Sequence, residues 1–142
     1  MSIGMTIINE FDGDYTFLSN FYYCTLNYEG ITYESAEAAY QASKTLDMDI
    51  RKSFTFLTPG KTKREGKKIK LRENWENIKL KIMEEIVRTK FNQNLDIKQR
   101  LIETNDAILI EGNNWHDYYW GVCAGKGENH LGKILMKIRN EF

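Results

Sequence analysis

Apolar residues recur near the helical period in the second half of the chain. Between Asn74 and Phe91 they alternate with charged residues, which predicts an amphipathic helix with one buried face. The same spacing over residues 131–138 predicts a final helix, and a shorter helix is expected over residues 95–103. Helices are therefore expected to dominate the structure.

Start signals predict further helices in the first half. Ser35 suits the cap of a helix that runs to Lys44, because a short polar side chain accepts a hydrogen bond from the first turn. Thr58 and Pro59 mark another start, since Pro fits the first helical position, with a break expected near Gly66. A short helix is predicted over residues 48–56.

Runs of β-prone residues predict a few short strands. Residues 5–11 form one such run, and residues 22–26 and 31–33 flank a glycine-containing turn, which predicts a hairpin. Residues 107–110 predict another strand, followed by a polar, aromatic loop over residues 111–128. Together with the helices, these strands predict an α+β fold that is predominantly helical.

Composition narrows the class of protein. A chain of 142 residues predicts one domain over residues 1–142, and its 20 basic and 20 acidic residues cancel, so no strong overall field favours nucleic acid or a membrane. Cys24 and Cys123 lack metal or redox spacing, as do His116 and His130. We expect a cytoplasmic protein with no metal, no cofactor, no membrane segment and no obligate protein partner.

Polar and aromatic residues gather in three segments that are far apart in the sequence. They are residues 17–21, 33–44 and 113–129, and each lies at the edge of a predicted element. Binding and catalytic residues concentrate at such edges. These segments are therefore expected to share a pocket.

An ordered set of short motifs resembles the YbiA-like family, also called the NADAR family. Over about residues 7–139, the motifs are Ser19-Asn20-Phe21, Glu37 with Gln41-Ala42-Ser43-Lys44, Asn74-Trp75-Glu76, Asp117-Tyr118-Tyr119-Trp120-Gly121, and Gly127-Glu128-Asn129-His130-Leu131-Gly132. No single motif is specific, but their order is. This chain departs from the family pattern at Trp115-His116, which precedes Asp117.

The resemblance implies a compact, mainly helical α+β domain that hydrolyses N-glycosidic bonds. Members of the family are associated with hydrolysing ribosylamino-pyrimidine phosphates of riboflavin biosynthesis or with removing ADP-ribose from modified guanine, and the basic segment over residues 61–72 favours the second of these substrates. By resemblance, the catalytic residues are Glu37, Trp75 and Asp117. The competing hypothesis is a module that binds NAD or ADP-ribose without cleaving it.

The chemistry of the reaction suits these residue types. Breaking a ribose C1–N bond builds positive charge on the sugar, which a fixed carboxylate stabilises. Glu37 is expected in the first turn of its helix, where the helix dipole favours the ionised form. Asp117 is a second acceptor for water or ribose hydroxyls. The structural alternatives are a helix-stabilising acid for Glu37 and a turn former for Asp117.

Aromatic and polar neighbours are expected to bind the substrate. Trp75 suits stacking on a base, although its place on the periodic stripe also favours core packing. Phe21 and Trp120 have the same two interpretations. Asn20 and Gly121 complete this set by the resemblance.

Three features suggest phosphate binding. Lys44 lies seven residues after Glu37, about 10 Å along a helix, with a solvated lysine as the alternative. The glycine-containing loop that ends at Asn129 suits an anion or a plain turn. Residues 61–72 contain seven basic residues and one acid, and Lys61, Arg64, Lys68 and Arg72 are predicted to line one helical face, which suits nucleic acid or a solvated surface.

Overall fold

The structure is a computed structural model that describes residues 5–142. Over these residues the α-helices are α1 (Ala36–Ala42), α2 (Met48–Ser53), α3 (Pro59–Gly66), α4 (Trp75–Gln93), α5 (Leu95–Ile102) and α6 (His130–Glu141). The strands are β1 (Ile7–Ile8), β2 (Leu26–Tyr28), β3 (Ile31–Tyr33), β4 (Ile108–Leu109), β5 (Gly112–Asn113) and β6 (Val122–Cys123). Short 3₁₀ helices cover Gly13–Leu18 and Phe54–Phe56. These elements confirm the predicted α+β class with helices predominant.

Backbone contacts group the chain into two compact units. Among the described residues, one contains residues 5–19 together with Asp96–Phe142, and the other contains Asn20–Leu95. We call them the terminal unit and the central unit. The single domain stays a prediction from chain length.

The central unit is organised around α1, all seven residues of which are buried. Ala36, Ala39 and Ala42 expose none of their surface, so neighbouring elements approach the helix backbone closely. Helices α3 and α4 pack on α1, and strand β3 leads directly into it. A short helix in this position is held by its surroundings, because isolated helices of this length are unstable in water.

The hairpin and α4 complete the central unit. Strands β2 and β3 pair antiparallel, with Leu26 opposite Tyr33, and the Tyr28 hydroxyl donates to Glu85 on α4 at 2.7 Å. Lys90, also on α4, is only 1% exposed. Its ammonium lies 5.6 Å from the ring centre of Tyr22 and 5.2 Å from that of Phe91. A charged group is thus enclosed among aromatic side chains.

The terminal unit is built on two parallel two-strand pairs and α6. Strand β1 pairs with β4, and β5 pairs with β6. Arg139 of α6 is buried and donates to the carbonyl of Ala107 at 2.8 Å and to the Thr104 hydroxyl at 3.0 Å. These bonds hold the turn before β4 against the helix.

The start signals of the first-half helices are confirmed. The Ser35 hydroxyl accepts from the Ala38 N–H at 3.1 Å at the start of α1. The Thr58 hydroxyl accepts from the Lys61 N–H at 3.3 Å, with Pro59 at the first helical position of α3. Local hydrogen-bonding chemistry was therefore a sound guide to these boundaries.

Several predicted boundaries were wrong. Of residues 5–11 only Ile7–Ile8 is a strand, and the first hairpin strand begins at Leu26 rather than at residue 22. The loop over residues 111–128 contains β5 and β6, which the sequence pattern did not predict. Each of these two strands has only two residues, too few to show alternation.

The basic helical face predicted for residues 61–72 does not form. Helix α3 ends at Gly66, and residues 67–72 continue as a turn and an irregular segment. Lys68 and Arg72 therefore do not extend the face of α3 that carries Lys61 and Arg64. Among the described residues, no helix is both long and apolar enough to cross a membrane.

Candidate active site

Glu37 is a buried carboxylate in the first turn of α1. Its side chain is only 7% exposed, and its Oε1 accepts a hydrogen bond from Gln41 Nε2 at 2.9 Å, one turn further along the helix. Its backbone N–H donates to the Asn20 carbonyl at 3.0 Å. Helix and loop therefore fix both the backbone and the carboxylate of this residue.

Gln41 is itself pressed between α1 and the end of α3. A Cβ placed on Gly66 would lie 1.9 Å from Gln41 Oε1, so only glycine permits this approach. Gln41 is 6% exposed, and its Oε1 has no hydrogen-bond partner among the described residues. Because this packing restricts the Gln41 side chain, its hydrogen bond to Oε1 fixes the orientation of the Glu37 carboxylate.

Trp75 opens α4 and packs beside Tyr40 of α1. The two ring centres are 5.4 Å apart with a tilt of 48°, and Trp75 is 4% exposed. The stripe of apolar residues therefore did place Trp75 in the core. Tyr40 lies one helical turn from Glu37, so the aromatic pair belongs to the same part of the central unit.

Asn20 and Phe21 form the loop that meets the start of α1. Asn20 is buried, and its Nδ2 donates to Met83 Sδ at 3.3 Å. Phe21 is 41% exposed, and Lys63 Nζ lies 6.0 Å from the centre of its ring. Asn20 is held by the core, whereas Phe21 presents an aromatic ring at the surface.

Lys44 follows the C-terminal end of α1 and is half-buried. Its Nζ lies 3.5 Å from the carbonyl of Gly66, at the end of α3. Burial lowers the pKa of Lys44, and the charge of Glu37 opposes that shift. The two residues are thus electrostatically coupled.

The remaining predicted residues lie in the terminal unit, where Asp117 organises its own loop. Its Oδ1 accepts from the N–H groups of Tyr119 at 3.1 Å and Trp120 at 2.9 Å. The Asn113 side chain binds the backbone of Asp117 twice. Its Nδ2 donates to the Asp117 carbonyl at 2.9 Å, and its Oδ1 accepts from the Asp117 N–H at 3.1 Å. Oδ2 makes no hydrogen bond to the described residues, so one acceptor oxygen of Asp117 stays available.

Gly121 and Trp120 follow directly in this loop. A Cβ on Gly121 would lie 1.9 Å from Glu111 Oε2 and 2.1 Å from the Glu111 carbonyl, so the position requires glycine. Trp120 is half-buried, and its ring meets that of Tyr119 edge-on at 4.8 Å. Tyr119 in turn lies 4.4 Å from the ring centre of His130.

Both polar atoms of the Asn129 side-chain amide form hydrogen bonds with backbone groups. Its Oδ1 accepts from the Glu111 N–H at 2.9 Å, and its Nδ2 donates to the Leu109 carbonyl at 3.0 Å. The N–H groups of residues 128–131 donate to carbonyls of residues 118–121. An anion site in this loop needs free N–H groups, and those of Glu128 and Asn129 are already paired with carbonyls, which favours the plain turn at these positions.

A surface groove elsewhere in the central unit contains none of the predicted catalytic or sugar-binding residues, although Lys68 of the predicted basic face lies at its edge. It is lined by Phe54, Leu57 and Ile69 and edged by Lys68 and Lys70. The candidate site is therefore defined by the residues around Glu37 rather than by this groove.

Sequence reasoning named neither Gln41 nor Glu111 as a site residue. The four-residue spacing from Glu37 was a usable signal for Gln41, since side chains at that spacing meet on a helix. Nothing in the sequence pattern marked Glu111, whose contact with Gly121 depends on the loop's path. Whether each predicted residue acts on a substrate stays a prediction.

A buried, hydrogen-bonded carboxylate beside aromatic side chains fits the class of glycoside-cleaving enzymes, which act through fixed carboxylates. The sequence profile of the NADAR domain matches residues 8–142 of this chain. The chain therefore belongs to the NADAR family, as its motifs predicted.

Named relatives agree with this assignment. N-glycosidase YbiA of Escherichia coli is 35% identical over 144 residues, covering 96% of this chain and 89% of that protein. An N-glycosidase of Nostoc punctiforme is 33% identical, with 90% and 86% covered. A riboflavin biosynthesis protein of Vibrio vulnificus is 34% identical over 94% of this chain, which spans 37% of that longer protein.

A solved structure shows the same fold. The NMR structure of E. coli YbiA matches with a TM-score of 0.87 and 34% identity, covering 99% of this chain and 86% of that one. Glycosyl hydrolase activity is the activity that the relatives' names support.

Proposed function

We propose that this protein hydrolyses the C1–N bond of a ribosyl group in a nucleotide-derived substrate, with Glu37 as the essential carboxylate. The observation that carries the proposal is the placement of Glu37. It is 7% exposed, in the first turn of α1, and held by Gln41 at 2.9 Å. A carboxylate fixed in this way is preorganised for developing positive charge and needs no rearrangement during the reaction.

The reaction needs one water molecule. As the C1–N bond breaks, its electron pair leaves on nitrogen and the sugar becomes oxocarbenium-like. Water then attacks C1, and its proton passes to the Glu37 carboxylate and on to the departing nitrogen. The products are a ribose bearing a C1 hydroxyl and a free amine. Glu37 serves both steps, by stabilising the cationic sugar and by orienting the water.

The other residues have supporting roles. Gln41 positions Glu37, and the buried Tyr40–Trp75 pair gives rigid apolar support in the same part of the central unit. In the terminal unit, Asp117 keeps one carboxylate oxygen without a hydrogen bond to the described residues, which suits an acceptor for a hydroxyl or water. Trp120 of the same unit has a half-buried aromatic ring.

Ribosylamino-pyrimidine phosphate is the first substrate we propose. The relative from Vibrio vulnificus is named a riboflavin biosynthesis protein, which supports this substrate. ADP-ribose on modified guanine is the second candidate, and residues 61–72 favour it because exposed basic side chains in that segment suit the phosphates of a nucleic acid. Both substrates place a nitrogen on C1 of a phosphorylated ribose.

The deciding experiment is mass-spectrometric product analysis with purified protein and its Glu37→Gln variant. Each is incubated with ribosylamino-pyrimidine phosphate and, separately, with DNA carrying ADP-ribosylated guanine. We expect wild type to release free amine or base from one of them. Glu37→Gln should lower turnover roughly 10³-fold, the scale of losing a charge that stabilises the transition state.

Two outcomes would count against the proposal. Full turnover by a folded Glu37→Gln variant would remove Glu37 from the chemistry. Retention of ADP-ribose in calorimetry, with no product from either substrate, would instead establish the non-catalytic binding module. Circular dichroism of both proteins checks that the variant is folded.

A further inference from the structure

The two polar atoms of the Gln41 side-chain amide have different surroundings. Its Nε2 donates to Glu37 Oε1 at 2.9 Å, whereas its Oε1 has no hydrogen-bond partner among the described residues. Gln41 is only 6% exposed, so bulk water reaches little of this side chain. One half of the amide therefore binds Glu37, and the other half is enclosed.

Gly66, at the end of α3, encloses the oxygen half of the amide. A Cβ added to Gly66 would lie 1.9 Å from Gln41 Oε1, 2.5 Å from its Cδ and 3.0 Å from its Cγ. The Gln41 side chain therefore runs along the Cα of Gly66, where a larger residue would leave no space for it. A Cα–H group is a weak donor to an oxygen and offers nothing to an N–H group. The contact with Gly66 thus favours the orientation in which Oε1 faces α3 and Nε2 faces Glu37.

The opposite orientation of this amide is unfavourable at both ends. A half-turn about its last bond would place Gln41 Oε1 against Glu37 Oε1, so that two acceptors would face each other. The same half-turn would bury the N–H groups of Nε2 against Gly66, and a buried donor without an acceptor is costly. Only a protonated Glu37 could donate to the amide in that orientation. The observed orientation therefore matches an ionised Glu37.

We propose that the contact with Gly66 fixes Gln41 as a hydrogen-bond donor, and that Gln41 thereby keeps the buried Glu37 carboxylate ionised. This rests on the proposed function, because it takes Glu37 as the residue that acts at C1. An N–H group binds a carboxylate more strongly than a neutral carboxyl group, whereas burial alone favours the neutral form. Gln41 is a positioning residue, since it acts through Glu37. It makes Glu37 a stabiliser of positive charge that holds the proton of the attacking water only until the departing nitrogen takes it.

Charged neighbours act on Glu37 as well. Lys44, half-buried after the end of α1, is electrostatically coupled to Glu37, and Lys67, Lys79 and Glu76 act on Lys44 in turn. Salt weakens interactions between partly exposed charges, whereas it has little effect on a hydrogen bond from a neutral, buried amide. Ionic strength therefore separates the contribution of Lys44 from that of the amide.

Variants of Gln41 and Gly66 test this assignment. Gln41→Met removes the donor and keeps a similar length, and Gly66→Ala displaces the amide without removing a polar atom. Ser43→Ala is the matched control, because it deletes a buried 2.7 Å hydrogen bond to the Ala39 carbonyl at the end of the same helix.

The acidic limb of the kcat/KM profile against pH reports the ionisation of the essential carboxylate. We expect Gln41→Met to move this limb upward by about one to two pH units, the size of a hydrogen bond to a charged group. Gly66→Ala should move it in the same direction, and both shifts should persist at high ionic strength. Ser43→Ala should keep the limb of wild type.

A direct titration separates the ionisation of Glu37 from the reaction. Protein that is isotope-labelled at the glutamate carboxyl carbons gives an NMR resonance for Glu37, which the Glu37→Gln variant identifies by its absence. The titration midpoint of this resonance should be lower in wild type than in Gln41→Met or Gly66→Ala. Because no bond is cleaved, the measurement is informative even if the proposed function fails.

The opposing results are specific. Equal titration midpoints in wild type and Gln41→Met would overturn the assignment while leaving Glu37 and the reaction intact. So would a shift that disappears at high ionic strength, because that pattern indicates a change in the charge of Lys44. A shift in Gln41→Met that is absent from Gly66→Ala would overturn the role of Gly66. A wild type that cleaves neither substrate but has the lower midpoint would uphold the role of Gln41 and reject the proposed reaction.

Discussion

The two predicted carboxylates are held in opposite ways. Glu37 lies in a short buried helix, and its carboxylate accepts a hydrogen bond from a side-chain amide of the same helix. Asp117 lies in a half-exposed loop, and its Oδ1 collects two backbone N–H groups that define the loop's path. The packing of α1 fixes the position of Glu37, whereas the hydrogen bonds of the Asp117 side chain fix the path of its own loop.

This difference predicts that substitutions at Glu37 and Asp117 change activity and folding stability to different extents. Removing the charge of Glu37 leaves the packing of α1 in place, so activity should suffer far more than folding. Removing the Asp117 side chain deletes two hydrogen bonds of the loop, so folding should suffer as well. The predictions below test this division.

The largest expected effect is on turnover. Glu37→Gln should reduce kcat roughly 10³-fold while changing the melting temperature by only about a few degrees, because the glutamine keeps the shape and the acceptor oxygen. Steady-state kinetics and thermal unfolding measure the two quantities on the same samples. A large fall in melting temperature would show that the carboxylate has a structural role.

The next effect concerns Lys90, whose burial lowers its pKa to about 8, with an opposing contribution from Cys24. Below pH 8 the folded protein carries a buried charge. Between pH 8 and 10 the unfolded chain binds a proton that the folded protein lacks, so stability rises with pH. Lys90→Met should therefore be more stable than wild type at pH 7, by on the order of 3 kcal/mol.

That advantage should shrink as the pH approaches 10, as followed by urea unfolding across the range. Burial also raises the pKa of Tyr33 to about 12, and the pKa of Tyr28 is raised by burial and by Glu85. Because the unfolded chain ionises these tyrosines first, their contribution to folding stability is lost as the pH rises above about 10. They are present in both proteins, so their contribution cancels in the difference. A difference independent of pH would contradict the assigned pKa of Lys90.

A smaller effect is expected from Gly66→Ala, which places a Cβ 1.9 Å from Gln41 Oε1. Overpacking of this kind costs about 1–3 kcal/mol, and displacement of Gln41 should also lower kcat by misaligning Glu37. Gly60→Ala in the same helix is the control, since nothing lies within 4 Å of its added Cβ. It should stabilise the protein by about 0.5–1 kcal/mol. Similar behaviour of the two variants would refute tight packing at Gly66.

The smallest effect separates shape from charge at Asp117. Asp117→Ala should destabilise the protein by about 1–2 kcal/mol, because it leaves two N–H groups without their acceptor. Asp117→Asn keeps an acceptor oxygen and should be nearly as stable as wild type. Chemical unfolding measures both variants, and equal destabilisation would show that the negative charge itself holds the loop.

Much of the fold followed from local signals. Ser35, Thr58 and Pro59 began their helices where capping chemistry predicted, and the periodic stripe after Asn74 formed the buried face of α4. The short strands were harder, because two paired residues in β5 or β6 carry no alternation of their own. A break near Gly66 was predicted, and α3 ends at that residue. The residues after it are not helical, so they do not continue the basic face of α3.

The site was predictable only in part. The family motifs named Glu37 and Asp117, and the four-residue spacing was a usable signal for Gln41, but the path of the loop around Asn113 does not follow from residue type. Tertiary packing decides such contacts, and single-sequence patterns do not record it.

The alanines of α1 have a consequence for sequence variation. Positions 36, 39 and 42 are closed on every side, so a larger side chain at any of them has no space to enter. In a saturation mutagenesis library selected for folded protein, substitutions at these three positions should be the most strongly depleted within α1. A helix of seven residues thus sets a strict limit on how far this chain can diverge while keeping Glu37 in place.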